Sequence, residues 1–205
     1  MEENLKRLFS LLEIDQNLVD GIIDWLDEND QEQPFGAESS QYLGLKPPVL
    51  CKNGPIDSVD ELLLVKGITR KILYGDSEKP GLAQFITVVG DEEGRININT
   101  ADEKTLSAVL NSESVASMIV DSRKDSPFKS EEDMTTRFPD LKLAEKFTTQ
   151  GSYFLVTSTG GFMAEGVLSR TVTIKAMLKR VRSEESDETE NQYMSIDTAY
   201  WKIER

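Results

Sequence analysis

The sequence predicts an α+β protein: a large helical block reaching to about residue 150, followed by a small antiparallel sheet. Three observations point there. Apolar residues recur at helical spacing through much of the first part, beginning with Leu8, Leu11 and Leu12. Short polar sequences able to cap helices precede several of these runs, as in Thr100-Ala101-Asp102-Glu103 and Ser130-Glu131-Glu132-Asp133. After Gly151 the pattern switches to strand-like alternation, from Tyr153 to Thr159.

From Leu5 to Asp27 two apolar stripes are visible, Leu8-Leu11-Leu12 and then Leu18, Ile22, Ile23, Trp25 and Leu26. Asp15 interrupts them and can cap the second helix. Residues 28–40 form an acidic loop containing Gly and Pro, and Pro47-Pro48 and Asn53-Gly54-Pro55 mark turns. A capping box from Ser58 to Glu61 opens the next helix, Gly67 stops it, and another starts at Thr69. Residues 85–89, Phe-Ile-Thr-Val-Val, are β-branched, bounded by Gly90, and predict a strand. Thr100 and Glu103 predict a second capping box, leading into Leu106, Val109 and Leu110, then Val115, Met118 and Ile119, with Ser130 and Asp133 opening a third helix. Capped short helices of this kind build helix-hairpin-helix modules, found in DNA receptors and in protein-assembly domains.

Beyond Gly151 the expectation is a hairpin. Tyr153–Thr159 forms one strand, Gly160-Gly161 the turn, and residues 167–177 the second strand, with Val167, Thr171 or Val172, Ile174 and Ala176 facing the core. Residues 183–191 hold acids without apolar residues and predict a loop. Residues 193–203 return as an edge strand, with Trp201 packing on the sheet. The predicted organisation is a mainly helical part, 1–150, with a strand near 85–89, and a β part, 151–205, with the acidic loop at 183–191.

Composition narrows the function. The 205 residues carry 23 Lys+Arg against 37 Asp+Glu, a formal net charge of -14. Duplex DNA is bound mainly through cationic side chains that displace counterions, so a chain this acidic is a poor general ligand for nucleic acid. The chain contains no histidine, which removes the commonest general base and zinc ligand and excludes serine–histidine and cysteine–histidine catalysis. The single cysteine, Cys51, permits no internal disulfide. It stands beside Lys52, but a buried or incidental thiol is the plainer reading. No apolar run is long enough to span a bilayer, and Met1 does not open a signal segment. No catalytic constellation emerges, and the sequence predicts a non-enzymatic protein.

One constellation suggests metal chemistry. Asp24, Asp27 and Asp30 follow one another at three-residue intervals at the end of the second predicted helix. The helix macrodipole disfavours acids there, so a cation would relieve them. Glu38 stands eleven residues after Asp27, the spacing of the first and last ligands of an EF-hand loop, with Asn29 and Gln31 at its third and fifth positions. Glu32 occupies the sixth, where an EF-hand needs glycine. An EF-hand is therefore rejected, and an irregular calcium site formed by Asp24, Asp27, Asp30 and Glu38 is kept. A solvated acidic helix end is the plainer reading of these residues by themselves. Leu62–Ile68 resembles a helix-hairpin-helix turn, but the corresponding turn at residues 110–115 lacks glycine and puts Glu113 where phosphate would lie.

Several segments together resemble the K-class minor pseudopilin of type II secretion systems. They are residues 18–30 (LVDGIIDWLDEND), Gly36-Ala37-Glu38 with Tyr42, residues 53–62 (NGPIDSVDEL), Val65-Lys66-Gly67-Ile68, residues 96–101 (ININTA) and residues 153–160 (YFLVTSTG). A competence DNA receptor resembles only residues 96–134. The longer resemblance implies a pseudopilin sheet with a large helical domain inserted into it, at the periplasmic tip of the pseudopilus. It implies I- and J-class minor pseudopilins as partners and a role in export across the outer membrane. It also implies an Asp-rich calcium site in the helical insert, raising the weight given to Asp24, Asp27, Asp30 and Glu38. By the same resemblance, the family's hydrophobic N-terminal helix, which would anchor the full-length protein in the inner membrane, and its first core strand are expected to be missing from this sequence. An apolar sheet face and groove are then expected to be exposed, with hetero-oligomerisation through the core. The alternative is a helix-hairpin-helix nucleic-acid-binding protein.

Overall fold

The computed structural model describes residues 1–91, 93–164, 167–182 and 194–204. It forms two units, one made of Met1–Val88 with Ile96–Thr149 and one of Val89–Arg95 with Gln150–Arg205.

The first unit is mainly helical. Helices α1 (Glu2–Leu11) and α2 (Leu18–Leu26) carry the two predicted stripes. The residues actually buried are Leu8, Phe9 and Leu12, then Val19, Ile22 and Trp25. Phe9 and Val19 lie outside the stripes read from sequence, because each helix is covered by neighbours over a wider arc than one row of side chains. Asp15 Oδ1 accepts from the Asn17 amide at 3.0 Å, forming the turn into α2 rather than capping its first amides. Short α3 (Ser39–Leu43), a 3₁₀ turn at Val59–Leu64 and α4 (Arg70–Tyr74) complete the first core. Tyr42, Leu62, Val65, Ile68, Leu73 and Leu82 fill it. Gly67 has φ +85°, and a Cβ there would stand 2.5 Å from Leu18 Cδ2, so both backbone and space call for glycine. Thr69 Oγ1 then caps α4 through the Ile72 amide.

A second core lies among α5 (Glu103–Leu110), α6 (Glu113–Asp125) and α7 (Glu131–Arg137), around Leu106, Ala116, Ile119, Phe128, Met134 and Phe147. The two-residue strands β1 (Ile96–Asn97) and β2 (Phe147–Thr148) pair in parallel at its edge. Asn99 closes the same region, accepting from the Phe128 amide at 2.8 Å and donating to the carbonyls of Phe128 and Thr149.

Three local expectations need correcting. The N-cap of α5 is Asp102, whose carboxylate accepts from the Lys104 amide at 2.8 Å. Thr100 instead donates its amide to the Asn97 carbonyl, in the turn after β1. Ser58 makes no side-chain cap. Glu61 turns back to the Asp57 amide and to Trp25, because a buried indole N–H needs an acceptor. Residues 85–89 form no strand. A 3₁₀ turn at Leu82–Gln84 sinks Leu82 into the first core, and Phe85 and Ile86 pack against it as partly buried side chains. β-propensity reports packing on a pleated surface, and here the surface available is helical.

The second unit contains the antiparallel sheet β3 (Tyr153–Ala164), β4 (Val167–Arg182) and β5 (Met194–Glu204), in that spatial order. Gly160 and Gly161 do not turn the chain. They pair with Val172 and Thr171 inside the β3–β4 ladder, which runs on through a bulge after Phe162 to Ala164 and Val167. Glycine has no side chain to clash in a ladder, and backbone pairing on both sides carries the strand past the pair. Val172, Ile174 and Ala176 share one face with Phe154 and Val156 across the ladder, whereas Thr171 lies on the other. That face is not a closed core, since Phe154, Val156, Val172 and Ile174 are all exposed. β5 pairs with β4, Trp201 standing opposite Ala176 in the backbone register. The acidic segment 183–191, the side chain of Val167 and the packing of Trp201 lie outside the described residues.

Candidate metal centre

Asp24 sits in the last turn of α2, and the helix ends at Leu26. Asp27 is the residue after it, already extended at φ -82° and ψ 162°. The chain then folds back through two successive side-chain turns: Asp27 Oδ1 accepts from the Asn29 amide at 3.1 Å, and Asn29 Oδ1 from the Gln31 amide at 2.7 Å. This return brings Gln33 onto Asp24, its amide 3.2 Å from both carboxylate oxygens. Phe35 donates its amide to Asp20 at 3.3 Å. Gly36 passes directly over Asp24, where a Cβ would come within 1.7 Å of Oδ2. The loop can close only because residue 36 has no side chain. Lys66 clamps it from outside, donating through Nζ to the Gly36 carbonyl at 2.8 Å.

Glu38 ends the loop as the N-cap residue of α3. Its amide donates to Gln41 Oε1 at 2.7 Å, while the Gln41 amide is taken by the Glu38 carbonyl at 2.9 Å. Glu38 and Gln41 thus stand as a capping box at the start of α3, although the Glu38 side chain makes no hydrogen bond of ordinary geometry there. Glu38 is 3% exposed, and both carboxylate oxygens are buried without a hydrogen-bond donor. Asp30, on the exposed rim, accepts from Ser39 Oγ at 2.8 Å and Asn53 Nδ2 at 3.3 Å.

The electrostatics follow. Burial holds the Glu38 carboxyl above its ordinary range, and the charges of Asp24, Asp27 and Asp30 push it further the same way. Burial also raises Asp24, opposed by the amides of Gln33 and Ala37 and reinforced by Asp27 and Asp20. The four acids named from sequence thus share one electrostatic neighbourhood. They are not drawn into a tight shell: among the described residues, no three acidic or thiol side chains converge as a ready-made metal cluster. What the site offers is a set of hard oxygen acceptors, some buried and unpaired, along one loop held at both ends. Such acceptors suit calcium, which tolerates irregular geometry.

The back of the site is rigid. Trp25, between Asp24 and Asp27, is 1% exposed and packs edge-on against Tyr42, ring centroids 4.9 Å apart. Trp25 Nε1 donates to Glu61 at 3.1 Å, and Lys52 bridges Glu61 and Asp57. Burial pushes the neighbouring Cys51 thiol up, opposed by the Asn53 amide, so Cys51 is a packing residue and not a reactive thiolate. Sequence reasoning missed Asn53. It lies beside the acidic loop with φ +45°, and its Oδ1 is also buried without a donor. Its Asn-Gly dipeptide reads as a turn marker, and nothing local in the sequence ties it to residues 24–38.

The geometry and the sequence of this region have parallels. Residues 1–75, which contain the whole acidic loop, match the family model described as type II secretion system (T2SS), protein K. The chain is 31% identical over 145 residues to the type II secretion system protein K of Pseudomonas aeruginosa, covering 68% of this chain and 41% of that protein. The chain belongs to the type II secretion system protein K family. The protein K of Aeromonas hydrophila is 31% identical over 129 residues, covering 60% of this chain and 37% of its own length. The chain thus spans about two fifths of the relatives it matches. The fold also matches a chain in the crystal structure of the GspK-GspI-GspJ complex from the type 2 secretion system of enterotoxigenic Escherichia coli. That match has a TM-score of 0.70 at 16% identity and covers 100% of this chain and 70% of the other. The combination of helices with a small antiparallel sheet is a fold shared with that chain.

Proposed function

We propose that this protein is a structural minor pseudopilin at the tip of a type II secretion pseudopilus, on the periplasmic side of the inner membrane. There it assists protein export across the outer membrane, with I- and J-class minor pseudopilins as its partners. The observation that carries this reading is family membership combined with a fold match, over the full chain, to a protein solved in complex with GspI and GspJ. The exposed apolar face of the β3–β4 ladder supplies a surface for hetero-oligomerisation, with Phe154, Val156, Val172 and Ile174 open to solvent. The role is mechanical and architectural rather than catalytic. The nucleic-acid alternative gains no support from the family relationships, and the net charge of -14 weighs against it.

The acidic loop is part of the proposal. Asp24, Asp27, Asp30 and Glu38 would hold calcium, and the orphaned carboxylate of Glu38 is the feature that favours a cation there. Bound calcium would fix the return of the loop onto α2 and so preserve the surface of the helical unit.

Removing the protein from a bacterium that carries it tests the role in export. Substrates of the secretion system should accumulate in the periplasm and reappear outside the cell when the gene is restored. Undiminished export in its absence would contradict the proposal.

A further inference from the structure

We infer that Asn53 supplies its side-chain oxygen to the calcium ion, so that the site is closed by a second stretch of chain and not by the acidic loop alone. This rests on the calcium reading above. Among the described residues, the buried side-chain polar atoms without a hydrogen-bond partner are Glu38 Oε1, Glu38 Oε2 and Asn53 Oδ1. All three are oxygen acceptors. Buried polar atoms are nearly always paired, and leaving them unpaired is costly. One cation placed among them would satisfy all three at once.

The position of Asn53 agrees. Its Nδ2 reaches the Asn29 carbonyl at 3.5 Å and Asp30 Oδ1 at 3.3 Å, so the amide lies against the acidic loop. Asp30 Oδ1 also accepts from Ser39 Oγ at 2.8 Å, so one carboxylate oxygen links Asn53 to the residue that follows Glu38. The left-handed backbone at Asn53, φ +45°, is one that asparagine adopts more readily than most residues. Calcium takes neutral amide oxygens together with carboxylates in shells of roughly 6–8 oxygens. The acids supply charge, and an amide adds coordination without adding repulsion.

The consequence is a brace. An ion held by Glu38 and Asn53 ties the end of the 24–38 loop to the segment that carries Lys52, whose ammonium bridges to Glu61 and Asp57. Calcium would then stabilise both segments together.

Calcium chloride titrated calorimetrically into chelator-stripped protein tests this, with wild type, Asn53→Gly and Asn53→Asp compared after circular dichroism has established that each is folded. Glycine suits the positive φ and removes only the side chain. The wild type should bind, and Asn53→Gly should bind about tenfold or more weakly, as loss of groups in and around metal sites does. Asn53→Asp separates a ligand from a hydrogen-bond donor. It abolishes the Nδ2 contacts to Asn29 and Asp30 but keeps an oxygen, so a ligand role predicts affinity at least equal to wild type. If Asn53→Gly binds as tightly as wild type, or if Asn53→Asp loses binding, Asn53 is not a ligand although the calcium reading stands. If the wild type itself takes up no calcium at millimolar concentration, the calcium reading fails and this inference fails with it.

Discussion

Gly36 shows how a single atom governs the acidic loop. With no Cβ, the backbone crosses Asp24 closely enough for Gln33 to hydrogen-bond its carboxylate. Gly36→Ala should cost about 1–3 kcal/mol, as overpacking of a filled interior does, and should also weaken calcium binding by displacing Asp24. Urea denaturation checks the first effect, and an unchanged midpoint would show that the crossing is looser than 1.7 Å implies. The acids predict a second residue-level outcome. Because a ligand that binds only the folded state stabilises it by about 2.7 kcal/mol at a hundredfold excess over its Kd, calcium should raise the melting midpoint by several degrees over chelator. Asp27→Ala should shrink that gain. A wild-type midpoint that does not move would make the cluster a solvated helix end. The four acids were readable from their spacing. The burial of Glu38 and the approach of Asn53 were not, because residue 53 reaches the acidic loop, at Asn29 and Asp30, through the tertiary path of the chain rather than through a local pattern.

At the scale of elements, caps explain where helices begin and why one expectation failed. Ser130 Oγ accepts from the Asp133 amide at 3.2 Å, and Ser112 Oγ from the Val115 amide at 3.3 Å. Thr100 looks equally suited by sequence, yet Asp102 takes the position, so the helix starts two residues later than the T-x-x-E pattern suggests. Ser130→Ala and Asp102→Ala should each cost about 1 kcal/mol. Thr100→Ala should cost less than either. Equal losses at Thr100 and Asp102 would overturn the assignment. Helices and the long strands were legible because their apolar periods differ, 3.6 against 2. Residues 85–89 misled because a short β-branched run does not reveal which neighbour it will pack on. Gly160-Gly161 misled in the opposite sense, being turn-forming by composition but held in a ladder by the alternating residues on both sides.

α7 offers another test at this scale. Arg137 makes a two-pronged contact with Asp133, at 2.8 and 2.9 Å, donates to the Ser126 carbonyl at 2.6 Å and lies 4.7 Å over the Phe128 ring. A planar fork does all of this at once and an ammonium cannot. Arg137→Lys should therefore destabilise the second core measurably in urea, by about 1 kcal/mol or more, whereas Lys124→Arg on the exposed face of α6 should be neutral. A neutral Arg137→Lys would reduce this network to surface decoration.

For the whole molecule, charge and surface point to the same kind of partner. A net charge of -14 and an exposed apolar ladder face suit a protein surface better than a polyanion. Duplex DNA titrated at low salt should therefore bind weakly or not at all; micromolar affinity with a steep salt slope would contradict this. The division between helical and β parts was legible from the change of period at Gly151, but the contribution of residues 89–95 to the second unit was not, since no pattern in that stretch pairs it with the sheet. The most direct measurement of the central claim is size-exclusion chromatography of this chain mixed with the soluble domains of I- and J-class minor pseudopilins from the same secretion system. The account predicts a single species of ternary mass at tens of micromolar. Three separate peaks at that concentration would contradict it.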